Sequence, residues 1–176
     1  YFGPKTRAAV AAAGGVVIPP GGTPVPPGTG LSISLAADNP GAMTVPKGAS
    51  GVTFLKFNVL GSGTLDSLVF RRTGIGATGD FESSGVYLYD GASRLTSGRS
   101  INTTTHEVSF IGLNLAVSGV KTLAFVADTA GSATAGNVNQ FQLVSATGTP
   151  IPTGLVSGSP MTIGGQAVGG VHIATT

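Results

Sequence analysis

Leu-Ser-Ile-Ser-Leu at residues 31–35 alternates apolar with polar side chains and gives the first indication of the fold of this chain. Successive side chains of a β-strand point to opposite faces of a sheet, so a period of two is typical of a half-buried strand. Residues 86–91, Val-Tyr-Leu-Tyr-Asp-Gly, end in Asp-Gly, which is a strong turn signal. These two stretches predict β-strands joined by tight turns.

The rest of the body continues this pattern to residue 148, with turn signals about every 8–12 residues, the spacing of an all-β sandwich or barrel. Gly61 separates the apolar runs 52–59 and 65–70, which are therefore predicted as two strands. Helices are not expected, because Gly, Ser, Thr and Val recur too often and no helical stretch separates the strands. The predicted core is Ile33, Leu35, Phe54, Phe57, Leu68, Phe70, Val86, Leu88, Phe110, Leu115, Leu123, Phe125, Phe141 and Leu143.

Composition divides the chain into three parts. Residues 1–30 combine an apolar stretch, Ala8 to Ile18, with a Pro- and Gly-rich linker that favours extended polyproline II. Residues 31–148 form the predicted sandwich, and residues 149–176 form a Gly-rich segment with further strand-like pieces. This last segment is expected to pair with the sandwich, to start another module or to reach a neighbour, and the sequence leaves these alternatives open.

Charge is unusually scarce in this chain of 176 residues. Charged residues make up 9% and the formal net charge is +2, against about 25% charged residues in ordinary soluble domains. A net charge this small argues against a nucleic-acid partner. The absence of cysteine excludes disulfides and cysteine-ligated metals. No run approaches the roughly 20 apolar residues of a membrane span.

Five stretches of the body carry a resemblance to a known family. The most distinctive is residues 86–91 followed by Arg94-Leu95, and the others are Val45-Pro46-Lys47-Gly48, Phe57-Asn58-Val59, Leu65-Asp66-Ser67-Leu68, and Lys121-Thr122-Leu123 with Ala127-Asp128. Residues 31–148 thereby resemble the Ig-like β-sandwich modules of bacterial cell-surface proteins, notably those of small uncultivated lineages. The resemblance implies an all-β, Ig-like antiparallel β-sandwich with extended Gly/Pro-rich terminal segments. It also implies a secreted, non-catalytic module at the cell surface.

The first ten residues carry a second, shorter resemblance. Gly3-Pro4, Thr6 and Ala9-Val10 match the last helix of the small peptidoglycan-binding repeat of bacterial cell-wall proteins. Ten residues cannot bury a core of their own, so a working wall-binding domain is not expected here. The resemblance implies a bacterial cell-surface precursor.

The sequence contains no recognisable catalytic motif, so the chain is predicted not to be an enzyme. A serine hydrolase needs a base beside its nucleophile, and the two histidines, His106 and His172, have no Gly-x-Ser-x-Gly motif to serve. Residues 74–79 match the bare Gly-x-Gly-x-x-Gly string of dinucleotide sites. No helix is predicted after them to hold a pyrophosphate, so these glycines are interpreted as a loop.

Calcium is the one metal ion for which the sequence offers candidate ligands. Asp80, Glu82 and Asp90 are candidate calcium ligands, because hard cations bind several carboxylate and carbonyl oxygens from loops. The alternative is that Asp90 serves the Asp90-Gly91 turn and Asp80 makes a local hydrogen bond in its loop. No other cofactor is implied.

The sequence also predicts two surface features. Asn102-Thr103-Thr104 fits the acceptor pattern for N-linked glycan, so Asn102 is a glycosylation candidate. Arg71 and Arg72 end a predicted strand, where they are interpreted as a solvated edge or as a basic contact for an acidic wall polymer.

The expected function is that of a structural subunit of a bacterial extracellular assembly, either a surface layer or a filament. Small neutral side chains cost little to bury between subunits, so the main expected partner is another copy of the chain. The terminal segments are expected to contact neighbouring subunits, through Ala8, Val10, Val16, Val17 and Ile18. The alternative function is an adhesin or a surface module that binds cell-wall polymer or glycan.

Overall fold

A computed structural model describes residues 30–168, and their architecture is all-β, as the sequence predicts. The one helical element of this part of the chain is a single 3-10 turn at Thr78–Asp80. The strands are β1 (Leu31–Leu35), β2 (Met43–Lys47), β3 (Val52–Thr73), β4 (Phe81–Asp90), β5 (Ser93–Arg94), β6 (Glu107–Thr129), β7 (Val138–Thr149) and β8 (Met161–Ala167).

Two strands are much longer than the sequence predicts. β3 has 22 residues and β6 has 23, and they pair antiparallel from Val52 opposite Ala127 to Arg71 opposite Glu107. The prediction that Gly61 ends one strand and separates it from the next was wrong. Gly61 lies inside β3, paired with Gly119 of β6, because glycine permits a bend here without ending the hydrogen-bonded ladder.

Both long strands bend back on themselves. Phe57 and Phe70 are 13 positions apart in β3, which would separate them by about 43 Å in a straight strand. Their ring centroids are 5.8 Å apart. Phe110 and Phe125 of β6 likewise lie 6.2 Å apart. The paired strands therefore fold over as a unit, and their two halves face each other across the core.

The bend is located where glycines of the two strands meet. Gly61 has φ +136° and Gly119 has φ +86°, conformations that residues with a Cβ rarely adopt. A Cβ added to Gly61 would lie 1.8 Å from the carbonyl oxygen of Gly30, so β1 approaches the bend too closely for any side chain. The bend and the start of β1 thus depend on the same glycine.

Aromatic rings fill the space between the two halves. Phe70 and Phe125 have centroids 4.7 Å apart, and Phe125 and Phe141 are 4.4 Å apart. The core prediction is confirmed for most positions, with two exceptions: Leu35 is 46% exposed at the end of β1, and Leu115 is only half-buried. The fully buried aromatic residues are Phe54, Phe57, Phe70, Phe110, Phe125 and Phe141.

The eight strands form one mixed sheet rather than the expected purely antiparallel one. The order is β2-β8-β7-β3-β6-β4-β5, and β1 pairs with β3 beside β7. β2 and β8 run parallel, from Met43 opposite Met161. Parallel pairing arises because β8 comes from the C-terminal segment, more than a hundred residues after β2, and no hairpin constrains its direction.

The C-terminal segment closes one side of the folded sheet. The backbone of Ile33 in β1 donates to Thr153, at 2.7 Å, and that of Leu143 in β7 donates to Val156, at 2.8 Å. Val156 and Met161 are buried in the core. Of the alternatives that the sequence left open for residues 149–176, pairing with the chain's own sheet is observed for the part that the structure describes.

Adding a methyl group at the bend tests the structural role of Gly61. We expect Gly61→Ala to lower the free energy of unfolding by at least about 2 kcal/mol, because both its φ and the nearby Gly30 carbonyl exclude a Cβ. Gly41→Ala is the matched control, since no atom lies within 4 Å of an added Cβ there and its φ is not in the left-handed region. Urea denaturation of both variants measures the difference, and equal stabilities would contradict the assignment.

Candidate functional site

The three candidate calcium ligands lie in three different environments. Asp80 is buried, with 1% of its surface exposed, whereas Glu82 is exposed in β4. Asp90, at the end of β4, forms an ion pair with Lys121 of β6. Within residues 30–168, no group of three or more His, Asp or Glu side chains is placed to hold a metal ion. The structure therefore does not bring these three carboxylates together.

Asp80 is instead the acceptor at the centre of a polar cluster. Its Oδ2 accepts hydrogen bonds from the backbone of Ala77 at 2.8 Å and from Nδ2 of Asn139 at 2.9 Å. Its Oδ1 accepts from the backbone of Thr134 at 3.1 Å, and Nδ2 of Asn137 donates to both oxygens. The local hydrogen bond predicted for Asp80 is present, from Ala77, but its other partners are distant in sequence: Thr134 and Asn137 in the β6–β7 connection and Asn139 in β7.

The same cluster contains a buried arginine. Arg72 was interpreted as part of a solvated edge or a basic contact, and this was wrong, because only 6% of its surface is exposed. Its Nη1 donates to the Gly76 carbonyl at 2.8 Å and to Oδ1 of Asn139 at 3.2 Å. Its Nε is buried without a hydrogen-bond partner in the described part of the chain. Arg71 remains at the surface and pairs with Glu107 at 2.6 Å.

The electrostatics of the cluster favour a charged Asp80. Burial acts to raise the pKa of Asp80, but the hydrogen bonds from Asn139, Ala77, Thr134 and Asn137 outweigh it, and the pKa is lowered from its ordinary value. Burial lowers the pKa of Arg72, and the charge of Asp80 opposes this shift. The charge of Asp80 thus offsets part of the desolvation cost of Arg72.

The glycines of residues 74–79 allow their loop to lie close to this polar cluster. A Cβ at Gly74 would lie 2.3 Å from the Val138 carbonyl oxygen, and one at Gly76 would lie 2.3 Å from Oδ1 of Asn139. The glycines therefore let the loop approach β7 closely enough for Asp80 and Arg72 to reach Asn139. This arrangement accounts for the string without a nucleotide.

The glycosylation candidate, Asn102, lies on an exposed turn. Its side-chain oxygen accepts hydrogen bonds from the backbone of Thr104 at 2.8 Å and of Thr105 at 2.9 Å, which stabilises the turn before β6. Nearby, Nδ1 of His106 lies 3.0 Å from the hydroxyl of Thr78. His106 is half-buried and thus anchors the turn rather than standing free in solvent.

An open strand edge lies on the side of the sheet opposite the C-terminal segment. β4 pairs with β6 only from Leu123 onward, so residues 115–122 have β3 as their only strand partner among the described residues. We call residues 115–122 the open edge. Along it, exposed Ala116 and Ser118 alternate with buried Val117, which is the pattern of a regular half-buried strand.

A shallow groove adjoins one end of the open edge. It has a volume of about 220 Å³ and is lined by Leu95, Thr96, Ser97, Arg99, Ile111, Gly112, Leu113 and Leu115. Residues 95–99 cover the outer side of β4, through backbone hydrogen bonds of Leu95 to Leu88 and of Arg99 to Val86. The groove therefore lies between the two halves of the folded sheet, on the side that the C-terminal segment does not close.

The predicted contact residues Ala8, Val10, Val16, Val17 and Ile18, like His172, lie outside the described residues. The open edge itself was not predicted, because a sequence reveals a strand but not which of its sides is paired. The available signal was the alternation of Leu113, Leu115 and Val117 with smaller or polar residues after Gly112.

The polar cluster makes a prediction about acid stability. Because the folded-state pKa of Asp80 is below its unfolded value, near 3.8, its stabilisation is complete above that value and is lost as the pH falls through the lower, folded pKa. We expect Asp80→Asn to destabilise the protein by about 2–4 kcal/mol at pH 7. We also expect a shallower loss of stability below pH ~4 than in the wild type.

Thermal and urea unfolding at several pH values measure both effects. Asp38→Asn is the control, since Asp38 is exposed and pairs only with Lys56 at the surface, where such a pair adds little. Equal stability of the two variants at pH 7 would show that the cluster does not hold the loop.

Comparison with known proteins gives no family for this chain. No protein-family model matches it, and no curated protein shows significant sequence similarity to it. In residues 30–168 there is no helix of the length and apolar character needed to span a membrane.

Proposed function

We propose that this chain is a structural subunit of a bacterial extracellular assembly, a surface layer or a filament built from copies of the chain. The observation that carries this proposal is the sparsely charged outer surface of the folded sheet, in a chain with only 9% charged residues. The extracellular and bacterial parts of the proposal rest on the resemblance of residues 31–148 to surface modules. The finer assignment of the folded sheet as an Ig-like sandwich belongs to the same proposal.

Neutral side chains form cross-strand rows on the outside of the sheet. The hydroxyl of Thr122 donates to Oδ1 of Asn58 at 2.8 Å, and the hydroxyls of Ser67 and Thr147 are 2.6 Å apart. These groups satisfy one another, so they lose less on leaving water than unpaired polar groups would. Their short side chains also lose little conformational entropy in a contact.

Much of the small complement of charge is neutralised within the subunit. Lys56 pairs with Asp38 at 2.6 Å and Arg71 pairs with Glu107 at 2.6 Å, while Lys121 pairs with Asp90. Internal pairing leaves few charges to repel a second copy. Contacts between such surfaces should depend only weakly on salt.

Exposed apolar side chains lie within these neutral rows. Leu60 and Val120 are directly opposite each other on β3 and β6, and they are 45% and 63% exposed. A cross-strand apolar pair next to the bend gains free energy when another surface covers it. This pair supports contact between copies better than it supports a freely dispersed subunit.

Adding one charge to this surface tests the proposal. We expect the full chain to form regular particles, visible by negative-stain electron microscopy, with a critical concentration that changes little with salt. Leu60→Lys should raise that concentration at least about tenfold, equivalent to about 1.4 kcal/mol per contact. Sedimentation velocity over a concentration series measures the change.

Ala37→Lys is the matched control, because it adds the same charge to an exposed turn beside Asp38, away from the apolar pair. Its critical concentration should stay near that of the wild type. A wild-type chain that remains monomeric at all concentrations would contradict the proposed function.

A further inference from the structure

We infer that the open edge accepts an added β-strand, and that this strand is residues 8–18 of a second copy of the chain. The inference rests on the proposed function and specifies how one subunit would bind the next. Strand addition supplies main-chain hydrogen bonds for affinity and side-chain contacts for specificity.

The open edge lacks the features by which proteins protect an exposed strand. Such edges are usually blocked by proline, lysine, a bulge or a covering segment. Residues 115–122 contain no proline, and Lys121 is held by Asp90 instead of standing over the edge. Its pairing with β3 runs without a register shift from Leu115 opposite Leu65 to Thr122 opposite Asn58, through the bend at Gly119.

The neighbouring part of β6 is protected. Between Ile111 and Leu115 three residues oppose the single residue Asp66 of β3, which is a bulge. Gly112 and Asn114 there have φ values of +68° and +46°, so the strand turns away from regular pairing. The bulge ends where the open edge begins, which limits an incoming strand to residues 115–122.

Other strand edges of the described sheet are covered at least in part. The backbone of β1 and the first half of β7 bond to residues 153–158, and β4 is covered by residues 93–99. β2 carries Pro46 and Lys47, both of which discourage pairing. Residues 108–111 of β6 and 144–149 of β7 also have β3 as their only strand partner within residues 30–168, but both stretches are shorter than the eight residues of the open edge.

The surroundings of the open edge leave room for a further strand. A Cβ at Gly119 would meet no described atom within 4 Å. At the other end, Leu115 also lines the groove that Leu95 and Leu113 share. An added strand can therefore pair with the edge and place an apolar side chain in the groove.

The sequence of residues 8–18 fits this position. It contains no charged residue, and its even-numbered positions would place Val10, Val16 and Ile18 on one face of a strand. Its other face carries mainly alanine and glycine, which suit a close approach to a shallow surface. The segment has 11 residues, which is enough to pair with the eight of the open edge and extend into the groove.

The linker argues for a second copy. The chain enters β1 beside Gly61, three strand spacings from the unoccupied position next to Gly119, or about 14 Å. Residues 19–29 include five prolines, and an extended segment of that length reaches about 34 Å. A linker extended in this way is more than twice as long as the distance to the chain's own edge, which favours a neighbour over folding back.

Cross-linking of full-length chains tests the inference, and the natural absence of cysteine makes each introduced thiol unique. Chains carrying Val16→Cys or Val17→Cys are mixed with chains carrying Ser118→Cys and treated with a short bis-maleimide. The two tail positions point to opposite faces of a strand, so one of them faces the same side as Ser118. Ser145→Cys is the matched control, because Ser145 is exposed on β7, on the other side of β3 from β6 and away from the open edge.

We expect a shift from monomer to covalent heterodimer with Ser118→Cys and no such shift with Ser145→Cys. A doubly substituted Val17→Cys, Ser118→Cys chain that cross-links only within itself would overturn the inference, because residues 8–18 would then occupy their own edge. Regular particles without a cross-link to Ser118→Cys would also overturn it, while leaving the proposed function intact. Failure of the wild type to assemble would instead contradict the proposed function.

Discussion

The joint bend of β3 and β6 is the constraint on which the rest of the structure depends. Gly61 and Gly119 lie opposite each other in the two strands, so both strands change direction at the same level without losing their pairing. Because of this bend, Phe57 meets Phe70 across the core although a long strand separates them. A sheet that folds over in this way encloses an aromatic core without helices, but it leaves two open sides between its halves.

The two open sides of the folded sheet are closed to different extents. Residues 153–158 bond to β1 and to β7, so the side next to β3 is closed by the same polypeptide. On the side next to β6, residues 95–99 cover β4, and the bulge at Gly112–Asn114 interrupts the edge of β6. Both features stop short of residues 115–122. An uncovered edge of eight residues with an unbroken register is readily explained by pairing with a further strand.

The sequence predicts the fold class well and the strand boundaries poorly. Alternation identified Ile33 and Phe70 as core residues correctly, because burial on one face depends only on a period of two. The prediction was wrong at Gly61, because glycine occurs both in turns that end a strand and in bends within a strand, and the sequence does not distinguish the two. The prediction was also wrong at Arg72. An arginine at a strand end is usually solvated, and the burial of this one depends on the Gly76 carbonyl, on Asn139 and on the charge of Asp80. The pairing of β2 with β8 depends on residues that no local pattern connects.

The scarcity of charge links the polar cluster to the outer surface. Of the seven acidic residues, the buried Asp80 has a structural role, because it accepts hydrogen bonds from residues 54 to 59 positions away in sequence. Asp90 and Asp38 are committed to lysines, so few carboxylates remain for a metal or for keeping copies apart. The same shortage removes lysine as a general means of protecting strand edges. Backbone segments, proline and a bulge take over part of that role, and the longest stretch of edge that none of them reaches within residues 30–168 is left available for another chain.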